Sequence, residues 1–273
     1  MDLTYIIPVR IESADRLRNV ITSVTYLLKT LPDAKVIVKE VDKESVFAEQ
    51  ALPVIEKYVD KTKANLLHVF EKSESDLFHK TRILNDLIEM APTSIVCSHE
   101  VDVVYPLKSH IMAYEVIKKG QCDVVYPYGC GVYQYQVTYP QNIYEKFLAS
   151  EFDIRIFENH MRTESSTIGW TQFYRRKTAI QAGWWNENFL SWGAEDCEFY
   201  YRMNALGYKV SRVEGPIWHL EHGRTHNSHY HNPKFMENHQ LWQNIRTWDK
   251  DQLLKYYRSQ AYVKQRFEKN VSR

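Results

Sequence analysis

The feature that most constrains this chain is the alternation of buried-strand and amphipathic-helix patterns from Leu3 to Ser98. LTYIIPV is an apolar run closed by Pro8 and reads as a buried strand. From Asp15 to Thr30, Leu17, Val20, Ile21, Val24, Leu27 and Leu28 recur at helical spacing. Ala34–Val41 predicts a second strand, VFAEQALPVIEKYV a helix bent at Pro53, and NLLHVF a third strand. FHKTRILNDLIEM then reads as a helix and Ser94–Ser98 as another buried strand. Such alternation predicts an α/β fold: a Rossmann-like, mostly parallel sheet with helices on both faces.

Open sheets of this class bind ligands beyond the carboxyl ends of their strands. Attention therefore falls first on PVRIES after the first strand and on HEVDVVYP after SIVCS. Further along, Gln121–Pro140 reads as strands around a glycine turn, NIYEKFLASEF as a helix, and TQFYRRKTAIQAG as a strand entering a short helix. EDCEFYYRMNALG is a helix that Gly207 would stop, and YKVSRVEG a strand. PIWHLEHGRTHNSHYHNP reads as a histidine-rich loop, and Asn238 to Phe267 as a helical tail. The expected organisation is a catalytic domain over residues 1–235 and a helical C-terminal extension over 236–273.

Composition narrows the function classes. With 273 residues, 44% of them hydrophobic, the chain can bury a sizeable core. Its 35 lysines and arginines nearly balance 34 acids, so no global field points to nucleic acid. The opening MDLTYIIPVR is neither a signal peptide nor a span, and no stretch approaches the roughly 20 apolar residues a span requires. Peripheral membrane contact stays compatible with this pattern. Cys97, Cys122, Cys130 and Cys197 form no CxxC pair and read as reduced thiols of a cytoplasmic protein. Neither an oligomeric state nor a donor or acceptor identity is written in any motif.

Four constellations carry chemistry. In HEVDVV, Glu100 and Asp102 flank a valine and point the same way if the segment is extended. Two such carboxylates can hold a hard divalent cation and phosphate oxygens, or simply end a solvated strand. In HLEH, His219 and His222 open a run of five histidines with His226, His229 and His231. Imidazole with carboxylate suits Mn²⁺, Fe²⁺ or Zn²⁺. In FLSWGAEDCEF, Glu195 and Asp196 occupy a helix's first turn, where the dipole favours acids. Asp196 is also a candidate general base beside Trp192. In FHKTRILND, Lys80 and Arg82, like Arg10 after the first strand, are candidates to meet phosphate, and Asn85 lies on the same helix. Tyr133, Tyr135 and Tyr139 alternate either as an acceptor groove or as ordinary sheet packing.

Taken in order, P-x-R, F-x-K-x-x-x-x-N, E-x-D, W-G-A-E-D and H-x-x-H resemble a GT-A glycosyltransferase of the β-1,4-galactosyltransferase type, with its W-G-W-G-G-E-D and D-V-D motifs. The resemblance runs from about Leu3 to His231, and W-G-x-E-D followed by a histidine loop is its most specific part. It implies that Pro8, Val9 and Arg10 contact the nucleotide base and ribose, and that Phe78 and Lys80 also contact nucleotide. It implies that Asp102 and His222 bind metal, with His219 a further ligand. Glu195 and Asp196 then face the acceptor with Asp196 as base, and Trp192 closes over both substrates with Gly193 leaving room beside it. Glu100 stands where the family has its first Asp, His219 where it can have Met, and Ala194 in a more glycine-rich turn.

The expected function is inverting, metal-dependent transfer of a sugar from a UDP-sugar to a hydroxyl of a glycan or lipid-linked oligosaccharide. Mn²⁺ is the expected cofactor, with Mg²⁺ as the alternative. Galactose is favoured by resemblance, ahead of N-acetylgalactosamine and glucose. Missing the secretory anchor of animal members, the chain reads as a bacterial or phage enzyme of surface polysaccharide synthesis, at the inner face of the membrane. A sugar-nucleotide nucleotidyltransferase and a non-catalytic nucleotide- or sugar-binding protein of the same fold are the competing readings.

Overall fold

The structure, a computed structural model, describes residues 1–60, 65–164 and 167–271. The expected alternation appears as β1 (Leu3–Val9), α1 (Ala14–Thr30), β2 (Lys35–Asp42), α2 (Leu52–Ile55), β3 (Leu66–Lys72), α3 (Lys80–Met90) and β4 (Ile95–His99). A π-helical turn, Phe47–Ala51, runs directly into α2, so the bend expected at Pro53 is a change of winding one turn earlier. Pro53 itself sits in the first turn of α2, where a missing N–H is harmless. There follow β5 (Val103–Val104), α4 (Leu107–Lys118), β6 (Val124–Tyr126), β7 (Gln134–Val137), α5 (Gln141–Ala149) and β8 (Met161–Thr163). The chain continues with β9 (Thr171–Arg175), α6 (Arg176–Gln181), α7 (Glu195–Ala205), β10 (Val210–Arg212) and β11 (Ile217–Leu220). It closes with α8 (Phe235–Ile245), α9 (Lys250–Ser259) and α10 (Ala261–Val271).

Seven strands form one sheet in the order β10-β6-β9-β4-β1-β2-β3. All its pairs are parallel except those of β9, which runs antiparallel to β4 and β6. Leu3, Tyr5, Ile6 and Ile7 of β1 are fully buried, as expected for a central parallel strand covered on both faces. Helix α1 starts where Ser13 accepts a hydrogen bond from the Arg16 amide at 3.2 Å, a side-chain cap on an otherwise orphaned donor.

The sequence did not foretell a second, four-stranded sheet, β5-β11-β7-β8. It corrects the reading of residues 216–233 as one loop. Ile217–Leu220 is a fully buried strand, parallel to β7 and antiparallel to β5, and it carries His219. The three tyrosines do not share a groove either. Tyr133 lies in a 3₁₀ turn, Tyr135 stacks on Trp218, and buried Tyr139 shares a hydrogen bond with the Thr22 hydroxyl at 2.8 Å.

The C-terminal helices cover a satellite core of Phe189, Ile245, Leu253 and Tyr257. Tyr257 donates to Glu198, which is ion-paired with Arg202 at 2.6 Å, both fully buried on α7. This interior pairing fixes α7, whose first turn forms one wall of the cleft described below. No helix among the described residues is long and apolar enough to cross a membrane. The four cysteines are free.

Candidate active site

A cleft of about 490 Å³ opens at the carboxyl ends of β1 and β4, as the fold class requires. Pro8 and Val9 end β1, and Arg10 follows them into the cleft wall. Arg10 is nearly buried. Its Nε donates to the Val41 carbonyl at 3.0 Å and its Nη1 to the Asp76 carbonyl at 3.1 Å, and its guanidinium lies 5.6 Å from the Phe78 ring centre. Asn227 ties this wall together. Its Oδ1 accepts from the Phe78 amide at 2.9 Å and the Ser191 hydroxyl at 2.7 Å, while its Nδ2 donates to Glu12 and to the Asp76 carbonyl.

The turn after β4 separates its two acids. Residues 101–102 are in a turn, not an extended strand, and Glu100 and Asp102 take different partners in the cleft. This overturns the expectation that both acids point the same way. Glu100 pairs with Lys80, whereas Asp102 meets His222 Nε2 at 3.0 Å, His219 Nε2 at 3.7 Å and Arg16 Nη1 at 3.5 Å. Ligand atoms of Asp102, His219 and His222 all lie within 4.8 Å of one another.

The donor chemistry of this group fits a divalent cation. His222 Nδ1 lies 2.8 Å from the Gly223 carbonyl and His219 Nδ1 lies 2.9 Å from Gln136 Oε1. Those oxygens only accept, so each Nδ1 carries a proton, and in the neutral ring Nε2 turns its lone pair toward Asp102. A lone pair 3.0 Å from a carboxylate oxygen calls for a proton or a cation there. Burial works against the charge of Asp102, but His219, His222 and Arg16 outweigh it and hold the acid well below the usual carboxylate range. Burial pushes His219 down to about 4, so near neutrality its imidazole is uncharged and free to ligate, and Arg16 remains as a neighbouring cation. His226, His229 and His231 stay apart from this group. His226 bonds to the Asp76 carbonyl, and His229 and His231 stack on each other at the surface.

A second group in the cleft is acidic. Lys80, at the start of α3, reaches Glu100, Glu195 Oε1 at 3.1 Å and Asp196 Oδ2 at 3.4 Å. One ammonium thus serves three carboxylates. Burial lifts the Asp196 pKa to about 7; Lys80 opposes that shift, and Glu195 and Glu100 add to it. Asp196 Oδ1 is buried without a hydrogen-bond partner. Glu195 is oriented from behind by the Gly193 amide, 3.2 Å from its Oε2.

Trp192 lines the cleft and rests on Phe235, ring centres 5.5 Å apart and 17° from parallel. Buried Asn238 of α8 bonds the Leu190 amide and carbonyl and the Trp192 carbonyl, holding the approach to α7 at three backbone groups. Gly193 does not line the cleft. Its φ of +134° turns the chain behind Trp192, where a Cβ would stand 3.3 Å from Phe235. Ala194 adopts a left-handed φ of 66° just before α7.

Of the residues to which the family resemblance gives a role, Gly193 alone stands off the cleft wall. Arg82 and Asn85, proposed for phosphate and for the helix motif, face elsewhere. Arg82 pairs with Glu71 and Asp86, and Asn85 brackets the Trp185 backbone. Sequence reasoning passed over Gln136, Gly169, Trp170, Arg16, Arg224 and Asn227, all on the wall. A glutamine facing inward on the QYQV strand was the one available signal.

Residues 150–229 match a family model described as the N-terminal domain of galactosyltransferase. That segment holds Trp192, Glu195, Asp196, His219 and His222. No curated protein matches the sequence. Among solved structures, S. aureus TarS 1-349 in complex with UDP-GlcNAc superposes with a TM-score of 0.53 at 16% identity, over 84% of this chain and 61% of that one. The mannosyltransferase PcManGT from Pyrobaculum calidifontis, in complex with GDP-Man and Mn²⁺, gives 0.57 at 14% identity, over 96% and 69%. GalNAc-T7 with UDP, GalNAc and Mn²⁺ gives 0.55 at 12% identity, over 81% and 43%. The chain thus spans less than two thirds of the TarS and GalNAc-T7 chains it superposes on. It carries the GT-A fold of nucleotide-sugar glycosyltransferases, and residues 150–229 have the sequence pattern of the galactosyltransferase family.

Proposed function

We propose that the chain is an inverting, metal-dependent glycosyltransferase that moves a sugar from a UDP-sugar to a hydroxyl of a glycan or lipid-linked oligosaccharide. One observation carries the reading: a single cleft is lined both by a carboxylate–imidazole group suited to a divalent cation and by a half-buried carboxylate with a pKa of about 7. Nucleotide sugars or their parts, with Mn²⁺ in two cases, are bound by proteins of the same fold.

Asp196 accepts the proton of the acceptor hydroxyl as its oxygen attacks the anomeric carbon, with a basicity matched to neutral pH. Lys80 keeps the surrounding acids from raising that basicity further. In the proposed reaction the acceptor oxygen attacks the anomeric carbon on the face away from the diphosphate, so the anomeric centre inverts. Asp102, His219 and His222 would hold Mn²⁺, or Mg²⁺, and the ion when bound supplies Lewis-acid stabilisation of the departing diphosphate. Arg16 and Arg224 line the same cleft and supply further positive charge for that group. Arg10 and Phe78 form the wall for the nucleoside, and Trp192 covers the sugar and excludes water.

The family pattern over residues 150–229 favours galactose as the transferred sugar, ahead of N-acetylgalactosamine and glucose. The setting we propose is bacterial surface polysaccharide synthesis in the cytoplasm, at the inner face of the membrane. The test is a panel of nucleotide sugars with Mn²⁺, read by product analysis and by NMR of the new linkage. UDP and an inverted anomeric centre are expected. Pyrophosphate release would reassign the chain to nucleotidyl transfer, and binding without turnover would make it a non-catalytic member of the fold.

A further inference from the structure

His219 is held on three sides. Its Nδ1 faces Gln136 Oε1 at 2.9 Å, its ring lies against the Trp170 indole at 5.3 Å and 17° from parallel, and its Nε2 faces Asp102 Oδ1 at 3.7 Å. Gln136 and His219 are paired residues in the parallel register of β7 and β11, so the backbone ladder itself sets them side by side. Both are nearly buried, Gln136 at 6% exposure and His219 at 7%.

We infer that Gln136 is a positioning residue that fixes the tautomer and rotation of His219, so that Nε2 is the atom offered to the cation. This rests on the reading of Asp102, His219 and His222 as a metal group. The physical reason is specific to a histidine at position 219. An imidazole has two nitrogens and can turn or shift its proton between them, and only one combination puts a lone pair beside Asp102. The Gln136 carbonyl oxygen accepts a proton from Nδ1 and cannot donate one, which selects that combination. The flat face of Trp170 blocks rotation out of it. Fixing a ligating histidine through its other nitrogen is typically worth about 10–100-fold in metal affinity.

A consequence concerns which ion the group takes. Mg²⁺ favours oxygen ligands and keeps its water, whereas Mn²⁺ accepts imidazole readily. By holding two Nε2 atoms against a single carboxylate, the site prefers Mn²⁺ to Mg²⁺, and Gln136 helps maintain that preference.

Two measurements on the full chain test this, neither of which requires turnover. The first is ¹⁵N–¹H NMR of histidine-labelled, metal-free protein, with His219 assigned by substitution. Wild type is expected to show His219 with the proton on Nδ1, and Gln136→Leu to shift the population toward Nε2–H. The second is Mn²⁺ affinity by electron paramagnetic resonance. Gln136→Leu should weaken binding about 10–100-fold, while Gln136→Glu, which keeps an accepting oxygen, should restore wild-type affinity or better. A melting curve on each variant separates loss of orientation from loss of fold. An Nε2–H tautomer in the wild type would overturn the inference, as would a folded Gln136→Leu chain with unchanged tautomer and affinity. Failure of the wild type to bind Mn²⁺ at all would instead remove the metal reading on which the inference rests.

Discussion

Gly169 lies directly beneath the carboxylate of Asp196, so close that a methyl group at residue 169 would fall on Oδ2 and Cγ. Gly169 has no left-handed φ, so alanine is conformationally allowed there and the collision is purely steric. Gly169→Ala is therefore expected to displace the proposed base with little effect on the fold. Displacements of about 1 Å can cost about 10²-fold in rate. The expected result is a loss of that order with a near-unchanged melting curve; wild-type turnover would show that Asp196 does not need its observed position.

Asp196 should govern the acid limb of the pH profile. Burial raises its pKa to about 7, against Lys80 and with Glu195 and Glu100, and only the carboxylate form can take a proton. At saturating Mn²⁺, kcat/KM should fall tenfold per pH unit below that value and level off above it. Asp196→Asn should lower turnover roughly 10²–10⁴-fold while donor binding survives. The stability sign runs the other way. A carboxyl with a raised folded-state pKa loses stability as pH climbs from its unfolded value toward 7. Asp196→Asn should therefore melt at or above the wild-type temperature at pH 8. A variant that is both active and less stable would remove Asp196 from this role.

The loop ahead of α7 carries a compromise that one substitution isolates. Ala194 sits at φ 66°, a conformation that costs an L-residue about 1–2 kcal/mol and glycine little. Glycine's extra freedom in the unfolded chain returns part of this, leaving a net gain of up to about 1 kcal/mol for Ala194→Gly. A rise of roughly 2–4 °C in Tm is expected. A fall in Tm would mean that the methyl group makes packing contacts worth more than the strain. Trp192→Ala tests the same loop for function. The ring is half-buried on Phe235 while the backbone is held separately by Asn238. Turnover and acceptor KM should suffer while Tm moves much less than after a core truncation, which costs about 3–5 kcal/mol.

The sequence made the large sheet legible because its first half uses two unmistakable periods, and because a parallel strand buried on both faces is an unbroken apolar run, as in Leu3–Val9. The small sheet escaped because its strands have two to four residues, too few for any period, and β11 begins immediately after Pro216. The helical tail is three helices, and one of their boundaries is legible in the sequence. Asp249 and Gln252 form a reciprocal capping box that starts α9 afresh. Within the cleft, acids, histidines and tryptophan were visible from their type and spacing. Gly169 and Gln136 were not, since their contribution lies in which atoms they leave room for or face across strands. Glu100 and Asp102 would point the same way only in an extended segment, and β4 ends in a turn before Asp102.

The metal reading makes the sharpest demands. EDTA should abolish turnover, and Mn²⁺ should restore it better than Ca²⁺, whose preference is for oxygen ligands. His222→Ala should lose both metal-dependent UDP binding and turnover, because Asp102 then faces one imidazole across 3.7 Å and Arg16 across 3.5 Å. His219→Met should keep activity but change the order of preferred ions, since a thioether replaces a nitrogen. It should also become insensitive to substitution of Gln136, because methionine has no second nitrogen for that residue to fix. Ligating imidazoles must be unprotonated, so metal affinity should decline as protons compete in acid. Protonation of His219 itself should contribute to that decline only near pH 4, since burial has carried it down to about that value. Full activity in metal-free buffer would sink the assignment of Asp102, His219 and His222 together and leave side-chain cations such as Arg16 and Arg224 to meet a departing diphosphate in the cleft.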